Sequence, residues 1–205
     1  MARDLVSITK RSRREKVALH PKAVKVMAKK AYGPGEHGQS SLRAKPTQYA
    51  VQLREKQKVK RIYGLLEKQF AKVVVDAERK SGVTGDIMLQ LLEQRLDNAV
   101  YRVGLAPSRQ AARQLVTHGH FMLNGRRVDI PSIRLKPGDE FVVRPKSAAN
   151  VYFKILEPEL KANKQQVRWL SLDAKKLATK VTGLPEREDI DADINEQLII
   201  EFYSR

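Results

Sequence analysis

RLDNAVYRVGLAPSRQAARQLVTHGHFMLNGRRVDIPSIRLKPGDEFVVR, residues 95–144, is the stretch on which the fold reading turns. Its first half places apolar residues at helical steps and stops at Gly104. A second helix follows Pro107-Ser108, with Ser108 as its N-cap, and runs to about His118-Gly119. Ala112, Leu115 and Val116 face a core. After Gly119 the apolar period shortens to strand-length runs at 121–123, 127–130, 133–135 and 140–144. Asn124-Gly125, Pro131-Ser132 and Pro137-Gly138-Asp139 separate them, because Gly and Asn tolerate positive φ and Pro presets a bend. Two short helices leading into a turn-rich β segment predict an α+β class.

The flanking chain extends this reading. From Thr47, apolar residues Val59, Ile62, Tyr63, Leu66, Phe70, Val73 and Ala77 recur every three or four positions, one stripe of a helix. If that helix is continuous, Arg54, Lys58, Arg61, Lys68, Lys72 and Arg79 share a narrow opposite wedge; Gly64 could kink or split it. Ser81-Gly82 breaks the pattern, Thr84 or Asp86 can cap the next helix, and a domain junction is expected near 92–95. Beyond Lys146, residues 151–156 read as strand or helix and 169–172 as a strand. DINEQLIIEFYSR at the end reads as a short amphipathic helix capped by Asp191 or Asp193. Residues 1–46 read as a basic arm with few apolar residues, ordered only against a partner.

Charge names the partner class. The chain has 205 residues and a formal net charge of +17, and 16 of its 40 basic residues lie in positions 1–60 against 4 acids. Such a balance attracts polyanions and says nothing about fold. The stretch 186–201 reverses the sign, with seven acids and one arginine. There is no cysteine, so disulfides and thiolate metal sites are excluded. No apolar run reaches the roughly 20 residues a membrane span needs. The opening MARDLVSITKRSRREK lacks the apolar core of a secretory signal, and its acids argue against a transit peptide. A soluble intracellular protein is expected.

The chemistry concentrates on the helix after Ser108. Arg109, Arg113 and Thr117 form one stripe and Gln110, Gln114 and His118 the next, both turned from the core. Such a surface suits phosphates and sugar hydroxyls, and the helix N-terminus behind Ser108 adds backbone donors. The hairpin turn brings His120, Asn124, Arg126 and Arg127 to the same side. This is a shape reader suited to folded RNA, whose deep major groove side chains cannot enter. Further candidate contacts are Arg3, Lys10, Arg11, Arg13, Arg14 and His37 in the arm, and Arg54, Lys58, Arg61, Lys68 and Lys72 on the helical stretch. Tyr32 and Tyr49 sit beside basic chain and could stack on bases. Tyr63, Phe70, Phe121 and Phe141 read as core, and Trp169 as a packing residue at the domain junction. His37 lacks a nucleophile or second base, and its loop lacks the Gly-Lys-Ser/Thr ending of a phosphate loop. His118 and His120 lack a third metal donor. Asp189, Asp191 and Asp193 read as solvent-facing, without a cleft that would make them catalytic.

Residues 95–144 closely resemble the small RNA-binding domain named after the fourth protein of the small ribosomal subunit. The resemblance continues in PGEHG (34–38), YAVQLREKQKVKRIYG (49–64), LLEQRLDNAVYRVG (91–104) and PEREDIDADINEQLIIEFYSR (185–205). The chain is thus similar to the bacterial or organellar form of that ribosomal family. The small domain alone occurs in several RNA-modifying enzymes; the four motifs in order are far more specific. The resemblance implies a helical domain, 47–92 with 185–205, interrupted by an inserted module at 93–184 whose RNA-binding core is 95–155. It implies a primary binder of small-subunit ribosomal RNA at the five-way junction of the 5′ domain, nucleating assembly. It further implies neighbours in the third and fifth small-subunit proteins, a place at the messenger RNA entry channel and an influence on accuracy. Many relatives hold zinc through arm cysteines. His20 and His37 cannot replace such a set, so the arm is expected to fold without metal, and no cofactor is expected.

Two other classes compete. An RNA-modifying enzyme, such as a pseudouridine synthase, or an accessory RNA-binding protein would carry the same small domain. The enzyme needs a further catalytic domain, for which the residues outside the module leave no length. An architectural DNA protein fits the charge but would bind duplex DNA as well as junction RNA.

Overall fold

Gly64, at φ +64°, divides the long helical stretch that the apolar stripe alone would run together. In the computed structural model, which describes residues 6–40, 45–162, 167–190 and 193–204, α3 (Gln48–Ile62) stops before it and α4 (Glu67–Glu78) starts after it. The single wedge of Arg54 to Arg79 is therefore divided between two helices. The chain forms two compact units, Met1–Gly85 with Asp193–Arg205, and Asp86–Ala192.

In the first unit, α10 (Glu196–Tyr203) packs along α3. Its N-cap is Asn195, whose Oδ1 accepts from Leu198 N, and not the expected Asp191 or Asp193. Asp191 lies outside the described residues. Of the stripe, Val59, Tyr63, Phe70, Val73 and Ala77 are buried and Ile62 and Leu66 half-buried, and Ile199 of α10 is buried as well. The arm departs from expectation. It carries α1 (Ile8–Glu15), α2 (Pro21–Lys29) and a 3₁₀ turn at Glu36–Gly38, and α1 packs on both α2 and α3. Polar contacts, not an apolar stripe, hold it. Buried Ser12 donates to Ile8 O and accepts from Leu19 N, and the buried Glu15 carboxylate pairs with Arg54 and Arg61. Gly38 closes the loop because a Cβ there would lie 2.1 Å from Gly33 O.

The second unit runs through α5 (Thr84–Glu93, its first two residues in the other unit), α6 (Leu96–Arg102) and α7 (Arg109–Thr117). Gln94-Arg95 separates α5 from α6, and Arg95 bridges Arg134 as an isolated antiparallel pair. That bridge is all that forms at 133–135, which makes no strand. The sheet has five antiparallel strands in the order β2 (Arg126–Val128), β1 (Phe121–Leu123), β3 (Glu140–Val143), β5 (Ala178–Val181), β4 (Leu170–Asp173). Asn124, at φ +48°, turns the β1–β2 hairpin and pairs Leu123 with Arg126. Residues 151–156 fall in a helix, α9 (Val151–Ala162), after the short α8 (Pro145–Ala148). Phe121, Phe141, Val143 and Trp169 join Leu96, Val100, Ala112 and Val116 in one core. Trp169 thus packs inside this unit. The fold is α+β.

Candidate nucleic-acid interface

Ser108 starts the element on which the candidate site is built. It is extended at φ −157°, and its hydroxyl accepts from Ala111 N. Ala112 and Val116 point into the core while Gln110, Gln114, Thr117 and His118 are exposed. Thr117 spends its hydroxyl proton on Arg113 O. The helix ends at Gly119, φ +69°, and the Arg127 guanidinium lies directly across that glycine: a Cβ there would be 2.7 Å from its Nε. Arg144 donates to Gly119 O at 3.0 Å. So the end of α7 and the β1–β2 hairpin bring His118 and Arg127 together, while Arg126, also exposed, points to the opposite face of β2. Asn124 faces another task, since its amide bonds Asp139 Oδ1 and Glu140 N across the hairpin base. His120 is half-buried, with Nδ1 3.0 Å from Ser147 Oγ. Burial, aided by His118 and Arg144, lowers its pKa from the ordinary histidine value.

The two arginines of the α7 stripe are held more tightly than exposed cations. Arg109 Nε donates to Asn98 Oδ1 at 2.8 Å, and its guanidinium covers the Tyr101 ring at 4.6 Å. Arg113 lies 3.7 Å from Asp97. Both acids below them are buried: Glu93 takes the fork of Arg102 and Asp97 that of Arg95. Arg102 and Arg144 belong to this neighbourhood but were absent from the candidates read from the sequence. The signal for Arg102 was its four-residue step from Asn98 on α6; Arg144 carried none beyond its charge.

In the first unit the candidates divide between exposed and engaged groups. Lys10, Arg14, His37, Lys68 and Lys72 are exposed. Arg11 is half-buried. Arg13 donates to Tyr32 O and Gly33 O and stacks on the Tyr32 ring, which is thereby occupied within the arm. Arg54 and Arg61 share Glu15, whose pKa burial raises despite those arginines. Lys58 bonds Glu55 and Asp193 O. Tyr49 is exposed, with its ring 5.7 Å from Phe202. Arg3 lies outside the described residues. His20 Nδ1 accepts from Lys22 N as the cap of α2, and with no cysteine in the chain the arm's donors do not fit a zinc site.

Residues 6–93 match the family model described as ribosomal protein S4/S9 N-terminal domain, and residues 94–141 match the S4 domain. A small ribosomal subunit protein uS4 of Chloroflexus aurantiacus is 48% identical over 206 residues, with 100% of both chains covered. The chain belongs to the uS4 family. A uS4 protein of Thermus thermophilus is 48% identical over 213 residues and one of Chlorobaculum tepidum 46% over 210, again with both chains fully covered. These relatives bear the name of a small ribosomal subunit protein. The S4 model covers α6, α7, β1 and β2, the elements that carry the candidate interface. Among the described residues no helix is long and apolar enough to cross a membrane.

Proposed function

We propose that the chain is a non-catalytic ribosomal protein, cytoplasmic with its ribosome, that binds small-subunit ribosomal RNA at the multi-helix junction of the 5′ domain and nucleates assembly there. The same proposal places it beside the third and fifth small-subunit proteins at the messenger RNA entry channel, with an effect on accuracy. The division into an arm at 1–46, a helical domain at 47–92 with 185–205, and an insertion at 93–184 is part of it. The observation that carries the reading is the shared edge of α7 and the hairpin. There, Arg127 and His118 stand on rigid elements within a segment matching the S4 domain, and exposed Arg126 precedes Arg127 on the same strand. Cations fixed on rigid elements suit backbone recognition of folded RNA, where contacts to phosphate and sugar outweigh base reading.

The test is nucleotide-resolved protection of small-subunit RNA by the purified chain, with and without Arg126→Glu plus Arg127→Glu. Each lost charged contact is worth about 1.5–3 kcal/mol, so the double variant should bind at least about a hundred-fold more weakly. Equal protection of scrambled RNA by the parent would sink the reading, and so would an undiminished double variant. Turnover of uridine in the same incubation would point instead to a modifying enzyme.

A further inference from the structure

Beneath the outer stripe of α7 lies a layer of opposite charge. Glu93, with no exposed side-chain surface, accepts Arg102 Nη2 at 2.7 Å on Oε1. Its Oε2 accepts Arg102 Nε at 2.9 Å and Asn98 Nδ2 at 2.7 Å. Arg109 Nη2 lies 3.9 Å from Oε1, and Arg109 Nε is fixed by the far side of the same Asn98. Asp97 repeats the pattern, taking the Arg95 fork at 3.0 and 2.9 Å and lying 3.7 Å from Arg113. Two buried carboxylates and one amide thus stand behind four arginines. Arg109 and Arg113 are the pair nearest the surface, with 17% and 32% of their side chains exposed.

We infer that Glu93, acting through Asn98, is a positioning residue for the proposed RNA contact, holding Arg109 and Arg102 in the orientation in which they meet phosphate. This rests on the function proposed above. An acid beneath a polyanion site has two opposed effects. Its charge weakens long-range attraction, which reaches about a Debye length. Its hydrogen bonds fix guanidinium forks in advance and so spare the ordering cost of long side chains on binding. Neutralising Glu93 raises the long-range attraction by one unit against a net charge of +17, whereas it frees the guanidinium forks at the contact itself, so the ordering effect wins. Deleting a negative charge should therefore weaken binding to a polyanion.

The experiment uses the full chain and a small-subunit RNA fragment containing the junction, with affinity measured across a salt series. Glu93→Gln is nearly isosteric and adds one unit of net positive charge. The expected result is affinity about three- to ten-fold lower, the range for one freed long side chain. The slope of log affinity on log salt should also be shallower. Simple destabilisation would lower apparent affinity without changing that slope, and a purely electrostatic role would raise both. Asn98→Ala removes the Arg109 acceptor with no change of charge and leaves the Glu93–Arg102 fork, so it carries the same expectation if Glu93→Gln folds poorly. Independently of RNA, the Arg109 Nε–H signal should be resolved and exchange-protected in the parent and lost in both variants. If the parent prefers the junction and either folded variant binds as tightly, the positioning role is overturned alone. If the parent shows no preference, the function falls and this role with it.

Discussion

Gly119 shows how one residue ties the fold to the candidate interface. Its φ of +69° lies in the left-handed region, which costs a residue with a Cβ about 1–2 kcal/mol. An added methyl would also meet Arg127 Nε at 2.7 Å and Nη2 at 2.8 Å. The two effects differ in kind. The backbone strain cannot be relieved without unwinding the end of α7, whereas the guanidinium is the far end of a flexible chain and can swing away. Gly119→Ala should therefore lower unfolding stability by about 1–2 kcal/mol through the backbone. It should at the same time displace Arg127 and loosen RNA protection. Denaturant unfolding and footprinting separate the two: Gly119→Ala combined with Arg127→Ala should keep the stability loss but add little to the binding loss of Arg127→Ala alone.

At the scale of elements, Glu67 is the joint of the first unit. It opens α4, and its carboxylate accepts from Lys56 and Lys60 of α3 and from the Tyr203 hydroxyl of α10. Burial works to raise its pKa, but the hydrogen bonds from Lys56, Lys60 and Tyr203 outweigh it and hold the group at about 2. The same burial and the bond to Glu67 push the Tyr203 hydroxyl well above its ordinary value. A depressed carboxyl contributes stability that is present above its unfolded pKa, near 4.5, and lost as pH falls towards 2. Glu67 keeps 47% of its side chain exposed, so solvent screening reduces the contribution to about 1 kcal/mol. Glu67→Gln should cost that much at pH 7, and the gap between variant and parent should close between pH 4.5 and 2. A gap unchanged at low pH would mean the carboxylate charge is not its source. This joint marks the limit of what the sequence discloses. The stripe through Val59, Tyr63, Phe70 and Ala77 was legible because burial repeats with the helical period. Gly64 signalled a break but not that Glu67 would be clasped by residues 11 and 136 positions away. The hairpin at Asn124-Gly125 was legible from local turn chemistry, while β5, at Ala178–Val181, was not: it pairs with β3 through Thr179 opposite Phe141, a non-local partnership. For the candidate site, the outward stripes of α7 could be read from spacing. That Arg109 and Arg113 rest on buried acids could not, because Glu93 and Asp97 reach them only through tertiary packing.

Across the whole molecule, the net charge of +17 overstates the cations available to a polyanion. Arg13 is committed to Tyr32 and Gly33 within the arm, and Arg54 and Arg61 to the buried Glu15. Lys10 and Arg14 stand exposed on the same helix, α1. Counterion release depends on charges brought against phosphate, not on those counted along the chain. Lys10→Gln plus Arg14→Gln should therefore flatten the slope of log affinity on log salt by roughly 1.5, about 0.7–0.9 for each lost phosphate contact. The exposed pair should leave stability nearly unchanged, since such positions contribute little to folding. Arg13→Gln should behave in the opposite way. It removes a fork that joins α1 to the Tyr32-Gly33 turn, so amide exchange within 8–33 should speed up while the salt slope changes by less than half as much. Equal slopes for the two variants would mean that Arg13 meets RNA as Lys10 and Arg14 do, despite the Tyr32 and Gly33 carbonyls. The arm would then have to reorganise on binding, releasing Arg13 from the carbonyls that hold it in the free protein.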